Sequence, residues 1–372
     1  MKLIFISDYI SIHQKALCDA FHLLLKDDFL FVATTKIRQA RVDMGWKDYT
    51  DEVSYAVHHD RYTIDELRQI IAKAEVVILG SSHAKGISSI LRNRLVFNYA
   101  ERPLKKGIRE LCNMRRLYAI VKTLLQQRNN LHLLAAGFFC AKDYAMMGCY
   151  RQRAWKWGYF IEPICQHYRK RENDVPRILW LGRMLDWKHC ELAIQAAHAL
   201  CDHHLKAHFT VIGTGPEYGR VCQLVKEYHL EEQIEFIDSM NNMQIREMLK
   251  DVDILLCTSD RYEGWGVVVN EAMSAGCCVI ASDEVGAASY LIKPGDNGLL
   301  FRSGDSQSLS AALEQVVANP QLAELYGRRA VETLNGAWHP RSAAERFVTL
   351  CQNILAGQSV TLQPDGPCSP AL

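Results

Sequence analysis

The sequence lacks the long apolar run that would place it across a membrane. No window of about 18 uninterrupted apolar residues, the length needed to span a bilayer, occurs in the 372 residues. The apolar run before Asp8 is also too short for a signal peptide, so a buried first strand is expected there. These absences predict a protein that is soluble or at most attached to a membrane surface.

Paired cysteines and clustered metal ligands are also lacking. The thirteen cysteines are odd in number and form no CxxC pair, which favours reduced thiols in a cytoplasmic protein. The histidines at 58–59 and 203–204 have no partners at ligand spacing. A DVD triplet at 251–253 resembles a metal-binding motif, but Asp253 opens the buried run ILLC and is expected to be structural. No essential metal and no other cofactor are expected.

Net charge is nearly absent but unevenly distributed. The total is +1, yet residues 1–172 hold 28 Lys and Arg against 17 Asp and Glu, and the remainder holds 15 against 25. Two domains of opposite charge are therefore expected. The basic half is suited to an anionic membrane surface or a phosphorylated acceptor, although a solvated face that balances the acidic half explains it equally well. No nucleic-acid partner is expected.

Short apolar runs alternate with helix-like segments along the chain. Such runs are typical of strands buried on both faces of a parallel sheet. They are KLIFIS (2–7), LFVATT (30–35), VVILG (76–80) and RLVFNY (94–99), then RILWLG (177–182), HFTVIG (208–213), IEFID (234–238), DILLCTS (253–259), CVIAS (278–282) and GLLF (298–301). The alternation predicts an α/β fold of two doubly wound sheets that meet across a cleft, with ligands beyond the carboxyl ends of the strands.

Apolar stripes at spacings of three and four predict helices between these strands. One helix is expected at 13–26. Another is expected at 106–126, with a stripe assigned to the core that consists of Leu111, Met114, Leu117, Val121 and Leu124. Further helices are expected at 189–201, 217–228, 243–250, 267–275, 307–318 and 342–356.

A polar break at 167–176 divides the chain. It predicts a first domain at 1–169 and a second at 170–338, followed by a helix within 339–356. The last stretch, GQSVTLQPDGPCSPAL (357–372), has the composition of a disordered tail.

The stretch EGWGVVVNEA (263–272) carries the most informative chemistry. Its glycines suit a loop whose backbone approaches a ligand, and the helix that begins near Val267 offers N-terminal amides to an anion. That helix rises only about 6 Å from Val267 to Glu271. Glu263 and Glu271 can therefore flank a bound phosphate. A nucleotide-sugar fits, because its sugar and ribose hydroxyls would each donate to one carboxylate.

Other motifs follow neighbouring predicted strands. LGRMLDWK (181–188) supplies Arg183 and Lys188, two cations that can neutralise a diphosphate. IGTGPEYG (212–219) has the spacing GxGxxxG and so misses the dinucleotide fingerprint, which disfavours a nicotinamide dehydrogenase. GDNGLLF (295–301) completes the set. In this order the motifs resemble the donor-binding half of glycosyltransferase family 4, whose members have the GT-B architecture of two Rossmann-like domains.

The resemblance covers residues 170–355 closely and residues 1–169 weakly. It implies that Arg183 and Lys188 contact the donor diphosphate, Glu263 lies near the donor hexose and Glu271 binds the ribose hydroxyls. Donor contacts through the backbone are implied for Gly213, Gly215, Gly264, Trp265, Gly266 and Val267. The final helix resembles one that crosses back to the first domain.

In the first half the resemblance is incomplete. The segment SDYISIHQ (7–14) has no glycine where the family often has two. Glu101 and His83 stand near the position of a family histidine and are candidates to assist catalysis or orient the acceptor. His13 is a weaker candidate, because a lone histidine at a helix start is more often a cap or a surface group.

The resemblance implies a retaining hexosyltransferase that uses a nucleotide-diphosphate donor. UDP-sugars are favoured, followed by GDP-sugars. The expected acceptor is a saccharide, lipid-linked or part of a lipopolysaccharide or exopolysaccharide, reached in the cytoplasm or at the inner face of the cell membrane. Two alternatives remain open. One is a related GT-B epimerase or phosphorylase, and the other is a non-catalytic subunit of a polysaccharide-assembly complex.

Overall fold

The chain folds into two units. The computed structural model describes residues 1–42, 45–80, 90–107, 130–171, 173–358 and 365–372, with a few isolated positions between 109 and 124. The first unit comprises Met1–Glu162 and Ala337–Leu372, and the second comprises Pro163–Gly336. Each unit contains one parallel sheet with helices in the connections between its strands.

The sheet of the first unit has seven parallel strands in the order β3-β2-β1-β4-β5-β6-β7. The strands are β1 (Leu3–Ser7), β2 (Phe29–Ala33), β3 (Ala56–His58), β4 (Val76–Leu79), β5 (Leu95–Ala100), β6 (Leu131–Ala136) and β7 (Ala154–Trp157). The four strands predicted in this half are confirmed, because their Ile, Val, Leu and Phe side chains are buried on both faces. Three strands, β3, β6 and β7, were not predicted. The strand β7 mixes Trp with Lys at the edge of the sheet and lacks an apolar run.

The described helices of this unit are Ile12–Leu25, Gln39–Val42, Ile64–Ala72, Phe138–Met146 and Pro340–Leu355. The last helix packs on the first through Phe347, whose ring lies 5.5 Å from that of Phe21. Phe347 also lies 4.8 Å from Phe97 on β5 and is fully buried. The C-terminal helix is therefore part of the core of the first unit.

The apolar stripe predicted at 106–126 is not core where the structure describes it. Met114, Leu117, Val121 and Leu124 are 41% to 75% exposed. Leu111 and much of the predicted helix lie outside the described residues. The assignment to the core is wrong for the four described members, because periodicity identifies a shared face but not what covers it.

The end of the chain is ordered, contrary to the predicted tail. Residues 359–364 lie outside the described part, but 365–372 pack along β7. Cys368 donates its amide to the carbonyl of Lys156 at 2.8 Å, and Lys156 donates to the carbonyl of Ser369 at 2.8 Å. The prediction of disorder is wrong for these residues, since they hydrogen-bond to an edge strand whose backbone groups would otherwise be unpaired.

The second unit has six parallel strands in the order β10-β9-β8-β11-β12-β13. They are β8 (Arg177–Leu181), β9 (His208–Ile212), β10 (Ile234–Ile237), β11 (Ile254–Cys257), β12 (Cys278–Ser282) and β13 (Leu299–Phe301). All six were predicted and are confirmed. The helices are Cys190–Asp202, Tyr218–Glu227, Asn242–Met248, Val267–Ala275, Ala288–Leu291, Ser306–Val317 and Pro320–Asn335. Two of them, Ala288–Leu291 and Pro320–Asn335, were not predicted, although a proline at the first position of the second is a common start signal.

The polar break before β8 is anchored on the second unit. Arg171 donates to the carbonyls of Lys250 at 2.9 Å, Gly276 at 2.7 Å and Ala275 at 2.9 Å, and so satisfies carbonyls at the end of the helix Val267–Ala275. Asp253 accepts the backbone amide of Arg177 at 2.9 Å, as its predicted structural role requires. The second unit begins at Pro163, a few residues before the predicted boundary.

The strand order of the second sheet reverses direction between β8 and β11. Ligands of doubly wound sheets bind beyond the carboxyl ends of the strands at such a switch point. The segment after β8, residues 182–189, is called the β8 loop, and the segment after β11, residues 258–266, is called the β11 loop. Both contain residues singled out in the sequence. Among the described helices, none combines the length and the apolar character needed to cross a membrane.

Candidate functional site

Hydrogen bonds join the β8 loop to the β11 loop. The indole of Trp180 donates to the hydroxyl of Thr258 at 2.8 Å, and that hydroxyl donates to the carbonyl of Lys188 at 2.7 Å. The amide of Asp260 donates to the carbonyl of Trp187 at 3.0 Å. Because Trp180 and Thr258 are buried, these bonds are shielded from water and fix the two loops to each other.

An ion pair lies where the two loops meet. The ammonium of Lys188 contacts the carboxylate of Glu263, and the two side chains are only 17% and 14% exposed. The hydroxyl of Ser259 donates to the same carboxylate at 3.2 Å. A pair this sheltered is screened less than a surface pair, so each charge holds the other strongly. An incoming anion would have to compete with Glu263 for Lys188.

Arg183, the other cation of the β8 loop, is more accessible than Lys188. Its side chain is exposed, and no described residue forms an ion pair with it. The two cations of the β8 loop thus divide into one that is already paired and one that is available to an anion. A guanidinium in this position can bind a phosphate with two parallel hydrogen bonds.

The glycine turn after β9 packs directly against the β8 loop. A Cβ atom at Gly213 would lie 2.0 Å from the carbonyl oxygen of Gly182, and one at Gly215 would lie 2.4 Å from that of Met184. Both glycines also have positive φ angles, +131° and +158°. The amide of Met184 donates to the carbonyl of Thr214 at 2.9 Å. These glycines therefore set the position of the β8 loop.

The GWG triplet brings backbone close to the start of the helix Val267–Ala275. Gly266 has φ +87° and immediately precedes Val267. A Cβ at Gly286 would lie 2.1 Å from the carbonyl oxygen of Gly264, so that contact is also backbone on backbone. The side chain of Trp265 is buried, and its indole donates to Asn270 at 2.7 Å. Any contact of this triplet with a ligand is therefore restricted to its backbone.

Glu271 lies in the helix Val267–Ala275 and is only 5% exposed. Its carboxylate accepts a hydrogen bond from the side-chain amide of Asn242 at 3.0 Å. Burial raises the pKa of Glu271 above its usual range, and the Asn242 bond and nearby Arg246 oppose that shift. The amide oxygen of Asn242 is buried without a hydrogen-bond partner among the described residues. Sequence reasoning missed Asn242, which only the packing of its helix brings to Glu271.

The raised pKa leads to a prediction about stability. A buried group with a raised pKa stabilises the fold in its protonated form, fully below its usual value of 4.5, and this contribution is lost as pH rises through the raised value. Glu271→Gln mimics the neutral acid. We expect it to increase Tm by a few degrees at pH 8 and to leave Tm unchanged at pH 4, as measured by thermal unfolding. A Tm at pH 8 equal to or below that of wild type would contradict this.

The candidates of the first unit follow its sheet in part. Glu101 comes directly after β5, where it accepts hydrogen bonds from the Tyr159 hydroxyl at 2.7 Å and from Lys105 at 3.0 Å. His13 is buried, and its ring stacks on that of Tyr159 at 6.1 Å. These aromatic contacts give His13 a packing role. His83 lies outside the described residues.

The two units have the GT-B fold, and solved structures align with the chain over nearly its whole length. HepE from Anabaena, in complex with UDP, aligns with a TM-score of 0.69 over 96% of this chain and 99% of that one, at 15% identity. A glycosyltransferase from Rickettsia africae aligns with a TM-score of 0.71 over 95% and 98%, at 14% identity. At such identities the likeness concerns the fold.

Sequence similarity is concentrated in the second unit. Residues 166–333 match the family described as glycosyl transferases group 1. N-acetyl-alpha-D-glucosaminyl L-malate synthase from Bacillus anthracis is 29% identical over 149 residues, 40% of this chain and 38% of that protein. Lipopolysaccharide core biosynthesis glycosyltransferase LpsE from Rhizobium meliloti is 25% identical over 177 residues, 48% and 50%. The chain thus spans half or less of the length of these relatives.

Proposed function

We propose that the protein is a glycosyltransferase that moves a sugar from a nucleotide-diphosphate donor to a saccharide acceptor. The observation that carries the proposal is the grouping of Arg183, Lys188 and Glu263 on two hydrogen-bonded loops at the switch point of the second sheet. That grouping falls within the segment similar to glycosyl transferases group 1. Two cations suit a diphosphate, and a carboxylate beside them suits a sugar hydroxyl.

The donor we favour is a UDP-sugar. HepE, which shares the fold, has been solved with UDP and with UDP-glucose. In our proposal Arg183 and Lys188 hold the diphosphate, Glu263 receives the sugar hydroxyls and Glu271 receives the ribose hydroxyls, with Asn242 beside it. The backbone at Gly213, Gly215, Gly264, Trp265, Gly266 and Val267 approaches the donor. Because the two cations supply the positive charge, the proposal includes no essential metal.

Catalysis would proceed by stabilising the departing diphosphate. As the bond from the anomeric carbon to the phosphate oxygen breaks, negative charge grows on the diphosphate. In our proposal Arg183, Lys188 and the backbone amides at Val267 stabilise that charge. The acceptor hydroxyl oxygen then bonds to the anomeric carbon, and its proton passes to the phosphate oxygen that keeps the electron pair of the broken bond. We propose retention of configuration, with attack on the face that the diphosphate leaves. Glu101, held by Tyr159 and Lys105, is the residue we assign to orienting the acceptor.

The acceptor we favour is a saccharide of a cell-surface polymer, lipid-linked or part of a lipopolysaccharide. Relatives named for such pathways include LpsE of Rhizobium meliloti and a putative colanic acid biosynthesis glycosyltransferase of Salmonella typhimurium. We place this reaction in the cytoplasm, at the inner face of the cell membrane. The basic first half of the chain supports this, because it would be attracted to an anionic membrane surface. Binding of the protein to anionic vesicles at low salt tests the membrane part separately.

Nucleotide binding tests the diphosphate site. A ligand at about 100 times its Kd stabilises a protein by about 2.7 kcal/mol, which shifts Tm by several degrees. We expect such a shift with UDP-sugars in thermal unfolding, and smaller shifts with GDP- and ADP-sugars. Arg183→Ala should weaken the affinity about tenfold or more, because it removes a charge-assisted bond to the diphosphate.

The matched control is Lys226→Ala. It also removes one positive charge from the second unit, but from an exposed position on the helix Tyr218–Glu227. This variant should keep wild-type affinity. Equal losses of affinity in both variants would mean that Arg183 acts only through its charge and not through a direct contact. The absence of a Tm shift with any nucleotide in wild type would refute the proposed donor site.

A further inference from the structure

His189 occupies an unusual position directly after Lys188. Its backbone lies in the left-handed region, with φ 50° and ψ 48°, which is costly for a residue other than glycine. One ring nitrogen, Nδ1, lies 2.9 Å from the carboxylate of Glu191, and the other, Nε2, lies 3.4 Å from that of Asp260. All three side chains are partly buried. The strained backbone thus places the ring between two acids on different elements.

Asp260 connects this ring to the loop that holds Glu263. Its carboxylate accepts the amide of Tyr262 at 2.8 Å, and its carbonyl accepts the amide of Glu263 at 3.0 Å. Its own amide donates to the carbonyl of Trp187 in the β8 loop at 3.0 Å. Asp260 therefore organises the turn that presents Glu263. A side chain bound to Asp260 affects that turn directly.

Only the doubly protonated imidazole satisfies both contacts. A neutral imidazole donates from one nitrogen, whereas the imidazolium donates from both. The hydrogen bonds to Asp260 and Glu191 raise the pKa of His189 to about 9. Arg220 interacts with Glu191 from the helix Tyr218–Glu227, and the Lys188–Glu263 pair adds no net charge nearby. His189 is accordingly charged at neutral pH.

We infer that His189, in its protonated form, is a positioning residue that holds the β8 loop against the β11 loop and so sets Lys188 opposite Glu263. The inference rests on the proposed function in assigning donor contacts to Lys188 and Glu263. It adds a pH limit to that site. Since the folded pKa is raised, the contribution of His189 is fully present below about 6.5 and is lost as pH rises through about 9.

The first test compares the affinity for UDP at pH 7 and at pH 10. In wild type we expect the affinity for UDP to weaken about tenfold as pH rises through about 9. The neutral His189 ring then keeps only one of its two hydrogen bonds to Glu191 and Asp260, and that bond is no longer charge-assisted. His189→Gln has no titrating ring and should show the weaker affinity at both pH values. His189→Gly relieves the left-handed backbone and also lacks the ring, so it separates the two effects. Wild-type affinity in His189→Gly would overturn the inference.

The second test moves the pH midpoint without removing the ring. Asp260→Asn keeps oxygen and nitrogen atoms near Nε2 but removes the charge that raises the pKa. The midpoint of the UDP affinity profile and the titration of the His189 ring by NMR should both shift downward in this variant. If the role of His189 were purely structural, the ring titration would still shift, but the midpoint of the UDP affinity profile would not follow it. An unchanged midpoint, or a wild-type His189 that titrates near 6.5, would also overturn the inference.

Failure of the proposed function gives a different result. If wild type binds no nucleotide at pH 7, the donor site is wrong. The link between the loops is then judged by thermal unfolding. We expect wild type to lose more Tm between pH 8 and pH 10 than His189→Gln does, and equal losses would overturn the link itself.

Discussion

Lys188→Met is expected to lower kcat/KM for the nucleotide-sugar by about 10² to 10³, mostly through kcat. Removing one preorganised group that stabilises developing negative charge typically costs this much. The loss falls on kcat because the charge on the departing diphosphate is greater in the transition state than in the bound donor. Steady-state kinetics with a saturating acceptor measure both constants. Turnover near the wild-type rate would remove Lys188 from the mechanism.

A second variant separates this chemical effect from a loss of structure. Lys188→Met leaves the sheltered carboxylate of Glu263 without its partner, which destabilises a fold by about 3–5 kcal/mol at buried sites and by less here, where some water reaches the pair. The double variant Lys188→Met with Glu263→Gln removes both charges. We expect it to recover most of the lost Tm and none of the lost activity. Recovery of activity together with Tm would show that the single variant failed by unfolding.

Gly213→Ala is expected to lower the free energy of unfolding by about 3 kcal/mol or more, since steric overlap with backbone is among the largest single-residue effects. The new Cβ would lie 2.0 Å from the carbonyl oxygen of Gly182, and the φ of +131° is itself unfavourable for alanine. The carbonyl of Gly182 belongs to the backbone, so it cannot relieve the overlap by changing rotamer as a flexible side chain can. The β8 loop must move, so the Tm shift caused by UDP should also shrink.

Gly219→Ala, within the same motif, is the matched control. No atom lies within 4 Å of a Cβ built at Gly219, which is in the first turn of the helix Tyr218–Glu227. Alanine favours helix by up to about 1 kcal/mol over glycine, so we expect an unchanged or slightly higher Tm. Thermal unfolding of Gly213→Ala and Gly219→Ala in parallel measures the difference in their Tm. Similar losses in both would contradict the close packing of the turn on the β8 loop.

The sheets and the grouping of candidate residues were accessible to sequence reasoning. Buried parallel strands are short apolar runs, and the residues that follow them gather at one edge of the sheet. This logic alone brings Lys188, after β8, close to Glu263, after β11. It succeeded in the second unit because each strand there ends at a recognisable turn.

Other features depend on tertiary packing that no local pattern encodes. Asn242 reaches Glu271 only because the helix after β10 packs beside the helix that carries the acid. The segment 365–372 has the composition of a disordered tail but pairs with an open sheet edge. The sequence shows only that His189 is a polar residue between Lys188 and the start of a helix. Neither its φ angle nor its two acidic partners can be read from the sequence.

Sugar transfer from a labelled donor would demonstrate the proposed transferase activity itself. Wild-type protein would be incubated with UDP-, GDP- or ADP-sugars carrying a radiolabel in the sugar, together with a lipopolysaccharide and glycolipid extract. We expect labelled saccharide and an equal amount of nucleoside diphosphate from one donor class, foremost the UDP-sugars, and formation of both about 10² to 10³ times slower with Lys188→Met. Nucleotide binding without labelled product from any donor would contradict the proposed activity and would indicate a non-catalytic binding subunit.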